Sequence, residues 1–455
     1  MFYEDCFNIN FKNKVILKQP LIVVKKKKMD LLFKEFNVND SKYIFCVEDF
    51  EILKINKEEK ITKVLDEIKK EKYRVKTTKY KKLEIDSIRN IKITTIGIDL
   101  VNGCNLNCSY CFISAASKKK RKLKKNIFID ILKFIEKEKE HPIIFYFAGS
   151  GEPTLNFKLI KQLPSICLEY GFNNCFFDLT TNGTILTNEM INFFKQNKFT
   201  LNISLDGNKQ INDQVRIYHN GLGSFNDVYK NIKKLKENKI DFVCKTVILP
   251  DNKNLVDVFS FFEKNKINFF FTIATNSFDN HFIPNINDLE NFKKQFEIII
   301  QNYSKLIKNN KKIYSGKIIN DIKRIHYGNA NKIACEGARG SFFIDIDGDI
   351  YTCSYHNSSK ELSVGNIYTG INYDKIINNN WYAKSVDDYP VCNNCWMKYL
   401  CSGSCFAIKW LENKNTNEPS EYLCKTYDIY WSSIIKLYIQ IYSEIVSGNN
   451  INFIE

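Results

Sequence analysis

The run Cys104-Asn105-Leu106-Asn107-Cys108-Ser109-Tyr110-Cys111 sets three thiols at C-x3-C-x2-C spacing. Three closely spaced thiolates can hold three irons of a four-iron cluster and leave the fourth iron open to another ligand. A structural zinc site needs a fourth protein ligand close by, and a disulfide gains nothing from such crowding. The competing reading is three cysteines buried as small apolar side chains.

The 455 residues are too many for one ordinary core and suggest two or three domains, for which 44% apolar and 14% aromatic content suffices. Fifteen cysteines point to a reducing compartment and metal ligation. Met1-Phe-Tyr-Glu-Asp-Cys6 has neither the basic start nor the apolar core of a secretory signal, so a cytoplasmic protein is expected. No stretch reaches the roughly 18–20 apolar residues of a membrane span. The net charge of +16 gathers in two runs, Lys25–Lys28 and Ser117–Lys125. The second follows the cysteine loop, where it could attract an anionic partner; otherwise it is a solvated face. No nucleic-acid-binding module is recognisable, and neither nucleic acid nor membrane is expected as a partner.

Three units are expected: 1–90, 91–320 and 321–455. In the first, Val15–Val24 and Tyr43–Ile55 carry the β-branched and aromatic content of strands. Glu58–Lys72 spaces Ile61, Val64, Leu65 and Ile68 as an amphipathic helix. This small α/β unit is either a peptide-recognition element or a cover over one end of the core. In the second unit strands are predicted at Ile93–Leu100, Ile143–Phe147, Cys175–Leu179, Thr200–Ser204, Phe242–Ile248 and Phe269–Ile273. Helical stretches such as Phe128–Lys139, Phe157–Tyr170, Asn188–Asn197 and Phe225–Glu237 lie between them. Alternation of this kind predicts an α/β fold, a parallel sheet with helices outside and functional loops at the C-terminal strand ends.

With Tyr110 just before its last cysteine, the triad resembles the signature of the radical S-adenosylmethionine (SAM) enzymes. The resemblance implies a partial (β/α)6 barrel. It also implies a [4Fe-4S] cluster on Cys104, Cys108 and Cys111, with SAM on the open iron and a 5′-deoxyadenosyl radical as product. Further motifs agree. Phe147–Leu155 follows the second strand and contains Gly151, Glu152 and Pro153, with Ser150 where the family has a first glycine; family members use this segment to bind the SAM amino group. Asn182 after the third strand, Ser204 at the end of the fourth, and Tyr110 fall where family members line the SAM pocket. Arg216 can pair with the SAM carboxylate or belong to a surface salt bridge.

Cys335, Cys353, then Cys392-x2-Cys395-x5-Cys401-x3-Cys405 and Cys424 form a seven-cysteine array. It resembles the SPASM extension, which binds two auxiliary [4Fe-4S] clusters, for three clusters in all. A double zinc ribbon is the competing structural reading. By the resemblance, Cys392, Cys395, Cys401 and Cys424 hold the outer cluster, and Cys335, Cys353 and Cys405 the inner one. The inner set is a ligand short. Either a substrate thiolate completes it, or a ligand comes from elsewhere, with Cys6, Cys46, Cys167, Cys175 and Cys244 unassigned.

Anaerobic sulfatase-maturating enzymes carry an Asp base directly after the cysteine equivalent to Cys353, where this chain has Ser354, then Tyr355 and His356. They also usually start near their cluster motif. The expected function is therefore a maturase that installs thioether cross-links in a ribosomally made, cysteine-rich precursor. Its partners would be the leader-bearing peptide and an electron donor such as flavodoxin or ferredoxin. Formylglycine formation is second, with peptide epimerisation and carbon–carbon cross-linking alongside. A non-enzymatic zinc-binding regulator is the alternative of a different class.

Overall fold

The computed structural model describes residues 33–47, 50–55, 85–115, 118–249, 254–276, 283 and 289–446. Phe33–Val38 (β1), Ser41–Cys46 (β2) and Glu51–Ile55 (β3) form a three-stranded antiparallel sheet. Asn39 and Asp40, at φ 47° and 58°, make the two-residue turn that joins β1 to β2. The single strand predicted over Tyr43–Ile55 is thus two strands, broken near Phe50 at φ 56°. The predicted strand Val15–Val24 and helix Glu58–Lys72 lie outside the described residues. The sheet docks by its aromatic face: Phe36 and Phe45 meet Trp396 edge-on at 6.1 and 6.3 Å. Trp396 donates its indole N–H to Asp428 (2.8 Å), and Lys34 pairs with the same carboxylate at 2.5 Å.

Parallel pairing joins Thr95–Ile98 (β4) to the later strands of the core. Val101–Asn102 (β5) and Arg121–Lys122 (β6) make a separate antiparallel pair. Ile143–Phe147 (β7), Cys175–Thr181 (β8), Thr200–Ser204 (β9), Phe242–Ile248 (β10) and Phe269–Ile273 (β11) follow. The order β4-β7-β8-β9-β10-β11 is parallel throughout, and all six predicted strands are present. Helices Lys125–Phe134, Leu163–Glu169, Asn188–Gln196, Phe225–Glu237 and Leu255–Lys264 alternate with the strands and turn their apolar sides to the sheet. Thr187 and Asn208 cap helices by accepting from the N–H groups of Met190 and Ile211. The sheet does not close, because β11 and β4 are not neighbours; it is a partial barrel. None of the helices among the described residues is long and apolar enough to cross a membrane.

The free edge of β4 is taken by Ser341–Ile344 (β12), again in parallel. Asp349–Tyr351 (β13), Gly365–Asn366 (β14) and Gly370–Ile371 (β15) extend it antiparallel to ten strands. One sheet therefore runs from the barrel into the segment that bears the C-terminal cysteines. A buried polar latch reinforces the junction. Asp99 accepts from the Ser150 N–H (2.7 Å) and from Asn357 Nδ2 (2.6 Å), and the same Asn357 amide reaches Ser150 Oγ at 2.6 Å. Ser150 stands where the family has glycine, and here its hydroxyl fastens the barrel to the C-terminal segment.

Two predictions follow from these junctions. Trp396→Ala removes both aromatic contacts and the Asp428 bond. Because the indole is only half-buried, the cost should be on the order of 2 kcal/mol, below the 3–5 of a fully buried ring. Faster proteolytic release of the 33–55 region should report it, and unchanged protection would refute the docking. The second concerns Asp99. Burial raises its pKa from 3.8 to about 6, although Ser150, Asn357 and Lys118 oppose the rise. A carboxyl with a raised folded-state value favours the protonated fold. Its stabilisation is full below about pH 4 and is lost as pH climbs through about 6. The unfolding free energy of the metal-free protein, minus that of Asp99→Asn, should fall over this window. A flat difference in urea titrations would place the proton elsewhere.

Candidate active site and auxiliary cysteine sets

The C-terminal ends of the parallel strands gather the loops that carry the motifs. The cysteine loop follows β4 and β5, and it is held from below by main chain. Gly103 N–H donates to Ser150 O (3.0 Å), and Glu152 N–H donates to Gly103 O (3.3 Å). A Cβ on Gly151 would stand 2.2 Å from Gly103 O and 2.6 Å from Val101 O, so only glycine admits this approach. Several N–H groups point at the sulfurs: Leu106 N and Asn182 Nδ2 at Cys104 Sγ (3.4 and 3.7 Å), and Ala115 N at Cys111 Sγ (3.4 Å). Burial pushes the Cys104 thiol up to about 11 and the Cys108 thiol up to about 12. As thiolates these sulfurs therefore need a cationic partner. Among the described residues no three His, Cys, Asp or Glu side chains are placed to hold a single metal ion. An all-sulfur donor set with N–H groups aimed at it, too spread for one ion, fits a multi-iron cluster.

Glu152 is 2% exposed, and its carboxylate is fully engaged. One oxygen accepts from Thr154 N (3.0 Å), Thr154 Oγ1 (2.7 Å) and Thr181 Oγ1 (2.5 Å), and the other from Asn182 N (2.7 Å). The side chain is thus a brace between the loops after β7 and β8, and a ligand meeting this loop meets its backbone. Asn182 in turn bonds Asn105 Oδ1 at 2.8 Å, tying the third strand tip to the cysteine loop. Ser204 ends β9 and is half-buried. Arg216 is placed differently from a free SAM partner: its Nε pairs with Asp206 at 2.7 Å, in a buried ion pair. Tyr110 donates its hydroxyl to the same carboxylate, and the guanidinium lies 5.3 Å from the Tyr110 ring centroid. Asp206 also accepts from Val247 N (2.8 Å). It anchors Tyr110, Arg216 and the Val247 main chain together, two residues after Ser204, and no sequence signal singled it out.

The C-terminal thiols fall into two groups. After burial, the groups that oppose ionisation of Cys401 are Cys424, Cys392 and Cys395, and Cys424 feels Cys392 and Cys395. Cys335 feels Cys405, and Cys353 feels Cys405 and Cys335. Cys392, Cys395, Cys401 and Cys424 could hold one cluster; Cys335, Cys353 and Cys405 could hold another. Cys167 and Cys175 interact with each other at the start of β8, the end of the barrel away from the cysteine loop, and so do not complete the inner set. Cys244 is buried within β10, Cys46 is buried in β2, and Cys6 lies outside the described residues. The inner set meets the first loop through Tyr355, whose ring stacks on Phe112 at 4.4 Å and whose hydroxyl is 3.5 Å from Thr275 Oγ1. His356 is structural. It is wholly buried among Trp381, Phe406 and Trp410, bonded to Thr352 Oγ1 (2.7 Å), and burial pushes its pKa down to about 3.

A direct check of the loop geometry is Gly151→Ala. The methyl group meets two backbone oxygens that cannot rotate away, so a loss of about 1–3 kcal/mol is expected, with lower iron retention after reconstitution. Wild-type stability together with full iron would refute the close approach.

Comparison with known proteins follows this geometry. Residues 98–263 match the Radical SAM superfamily, and residues 335–396 match the SPASM iron–sulfur cluster-binding domain. A cysteine-type anaerobic sulfatase-maturating enzyme of Clostridium novyi is 29% identical over 341 residues, 70% of this chain and 88% of the relative. The solved anSMEcpe with bound AdoMet superposes with a TM-score of 0.66 at 20% identity, over 77% of this chain and 96% of that one. Streptococcus suis SuiB bound to precursor peptide SuiA gives 0.53 at 15% identity, over 86% and 98%. SAM and [4Fe-4S] clusters are typical of such proteins. With its partial barrel, its cysteine loop and its C-terminal cysteine segment, the chain belongs to the radical SAM enzymes that carry a SPASM domain.

Proposed function

We propose that this enzyme oxidises a cysteine residue within a peptide or protein chain. The carrying observation is the similarity to a cysteine-type sulfatase-maturating enzyme along 88% of that relative's length. When bound, SAM with its cluster supplies a radical that takes a hydrogen atom from the substrate, and the auxiliary clusters supply an outlet for the second electron. Cys104, Cys108 and Cys111 would hold the first cluster, and the two C-terminal sets the auxiliary ones. Tyr110, Gly151, Glu152, Asn182, Ser204 and Arg216 shape the SAM pocket, most of them by bracing its loops. Phe112 and Tyr355 form an aromatic wall between the first loop and the inner cysteine set.

Two fates of the oxidised residue are favoured by different observations. The relatives support formylglycine: hydrogen and proton leave Cβ and sulfur, and water then replaces sulfur, released as hydrogen sulfide. Ser354 and the unit ahead of the barrel support a thioether, in which the cysteine sulfur bonds to a carbon that has lost hydrogen. An Asp directly after Cys353 would serve as base within hydrogen-bond reach, and Ser354 does not supply one. Asp99 does not substitute, because its carboxylate is tied to Ser150 and Asn357. The inner set of three thiols leaves room for a substrate thiolate, and the sheet of β1–β3 suits a leader-bearing peptide.

The electron donor is proposed to dock on the basic strip after the cysteine loop. Lys120 lies against Gly103, beside Cys104, and β6 pairs with β5. Exposed Lys119, Lys120, Lys122, Lys124 and Lys125 would steer an acidic flavodoxin or ferredoxin to that loop.

The reconstituted enzyme should be incubated with SAM, reductant and two cysteine peptides, one matching a sulfatase active-site segment and one encoded beside the enzyme's gene. Exchange of sulfur for oxygen with loss of two hydrogens identifies formylglycine. Loss of two hydrogens per link, with the thiol no longer alkylated, identifies the thioether. SAM cleavage that leaves both peptide masses unchanged would refute cysteine oxidation.

A further inference from the structure

Among the described residues Lys409 is the most deeply buried lysine. It lies on the helix Phe406–Asn413, directly after Cys405, and is 0% exposed. Its Nζ has no hydrogen-bond partner. It stands 3.3 Å from the centroid of the Tyr389 ring, a cation–π contact that offsets part of the desolvation. An ammonium without an anion is among the most costly groups to bury. The anions at hand are sulfur: Lys409 is within electrostatic reach of Cys392, Cys401 and Cys424 of the outer set and of Cys405 of the inner set. Tyr389, whose ring it contacts, likewise feels Cys335 and Cys405 of the inner set and Cys392 of the outer one. The lysine is therefore within reach of thiols of both sets.

We infer that Lys409 is a shared counter-ion of the two auxiliary iron–sulfur centres and sets their reduction potentials together. Neutral thiols do not compensate a buried ammonium, whereas cluster-bound thiolates do, since a coordinating thiol is deprotonated outright. Each electron accepted by either centre adds one negative charge near Nζ, so the ammonium favours the reduced form of both. It acts as a positioning residue for charge and touches no substrate. A lysine that served only one centre would raise one potential and leave the other lower; one within reach of both keeps the two matched as electron acceptors.

The inference rests on the reading of the two cysteine sets as cluster sites, which iron and sulfide analysis of the wild-type protein tests separately. Potentiometric titration followed by electron paramagnetic resonance on the reconstituted full chain then tests Lys409. In Lys409→Met both auxiliary midpoints should move to lower potential while the SAM-binding cluster stays put; in Lys409→Arg, which keeps the charge, both should stay near wild type. Unmoved auxiliary midpoints in an iron-replete Met variant, or a shift of one centre alone, would overturn the assignment. Should the Met variant not assemble, wild-type protein labelled with nitrogen-15 at its lysine side chains decides. Pulsed measurements should show a lysine nitrogen coupled to both reduced auxiliary centres, and coupling to one or to neither overturns it.

Discussion

The carboxylate of Glu152 holds together three loops that would otherwise move independently. Cut off from water, it can remain in place only by collecting donors, and it takes them from Thr154, Thr181 and Asn182. Thr154 belongs to the loop after β7, and Thr181 and Asn182 to the end of β8. Through the Asn182 side chain the constraint reaches Asn105 and the Cys104 sulfur. The position of the cysteine loop is thereby fixed by a group that need not touch any ligand. The glycine before it serves the same end, because it lets the backbone of 150–152 pair with that of 103. A polar brace of this kind is worth most when every member is satisfied, and here the donors come from the loop after β7 and from the end of β8.

A second buried carboxylate, Asp206, performs the parallel task on the opposite side. It receives Tyr110, Arg216 and the Val247 main chain, so the aromatic ring beside Cys111 is locked by a charge pair. Arg216 bound in this way keeps a fixed orientation, and its influence on an anionic ligand is through field and shape.

Much of the barrel was legible in the sequence, because its strands read as short β-branched and aromatic runs such as Ile143–Phe147 between helical stretches. The motifs were legible because loops at strand ends need particular residue types. The partition of the C-terminal cysteines came from the resemblance to the SPASM extension, because their intervals alone also allow a double zinc ribbon. What the sequence did not disclose depends on distant partners. β12 to β15 are two to four residues long and carry little periodicity, and β1 is a polar hairpin arm whose apolar face has meaning only against Trp396. Asp99, Asn357 and Ser150 lie far apart in the chain, so nothing local marks them as one latch. His356 lies three residues after Cys353, yet its ring is enclosed by Trp381, Phe406 and Trp410. Lys409 reads as an ordinary helical lysine until the fold seals it from water.

The way β4 is bonded has a mechanical meaning. It is paired with β7 along one edge and with β12 along the other, and the Asp99 latch crosses the same junction. Hinging the C-terminal segment away from the barrel would require tearing a parallel ladder and exposing a desolvated carboxyl. The spacing between the first cysteine loop and the inner set is therefore established when the chain folds and does not adjust as a substrate arrives. Whatever reaches the space between the first cysteine loop and the inner set does not do so by parting these two halves.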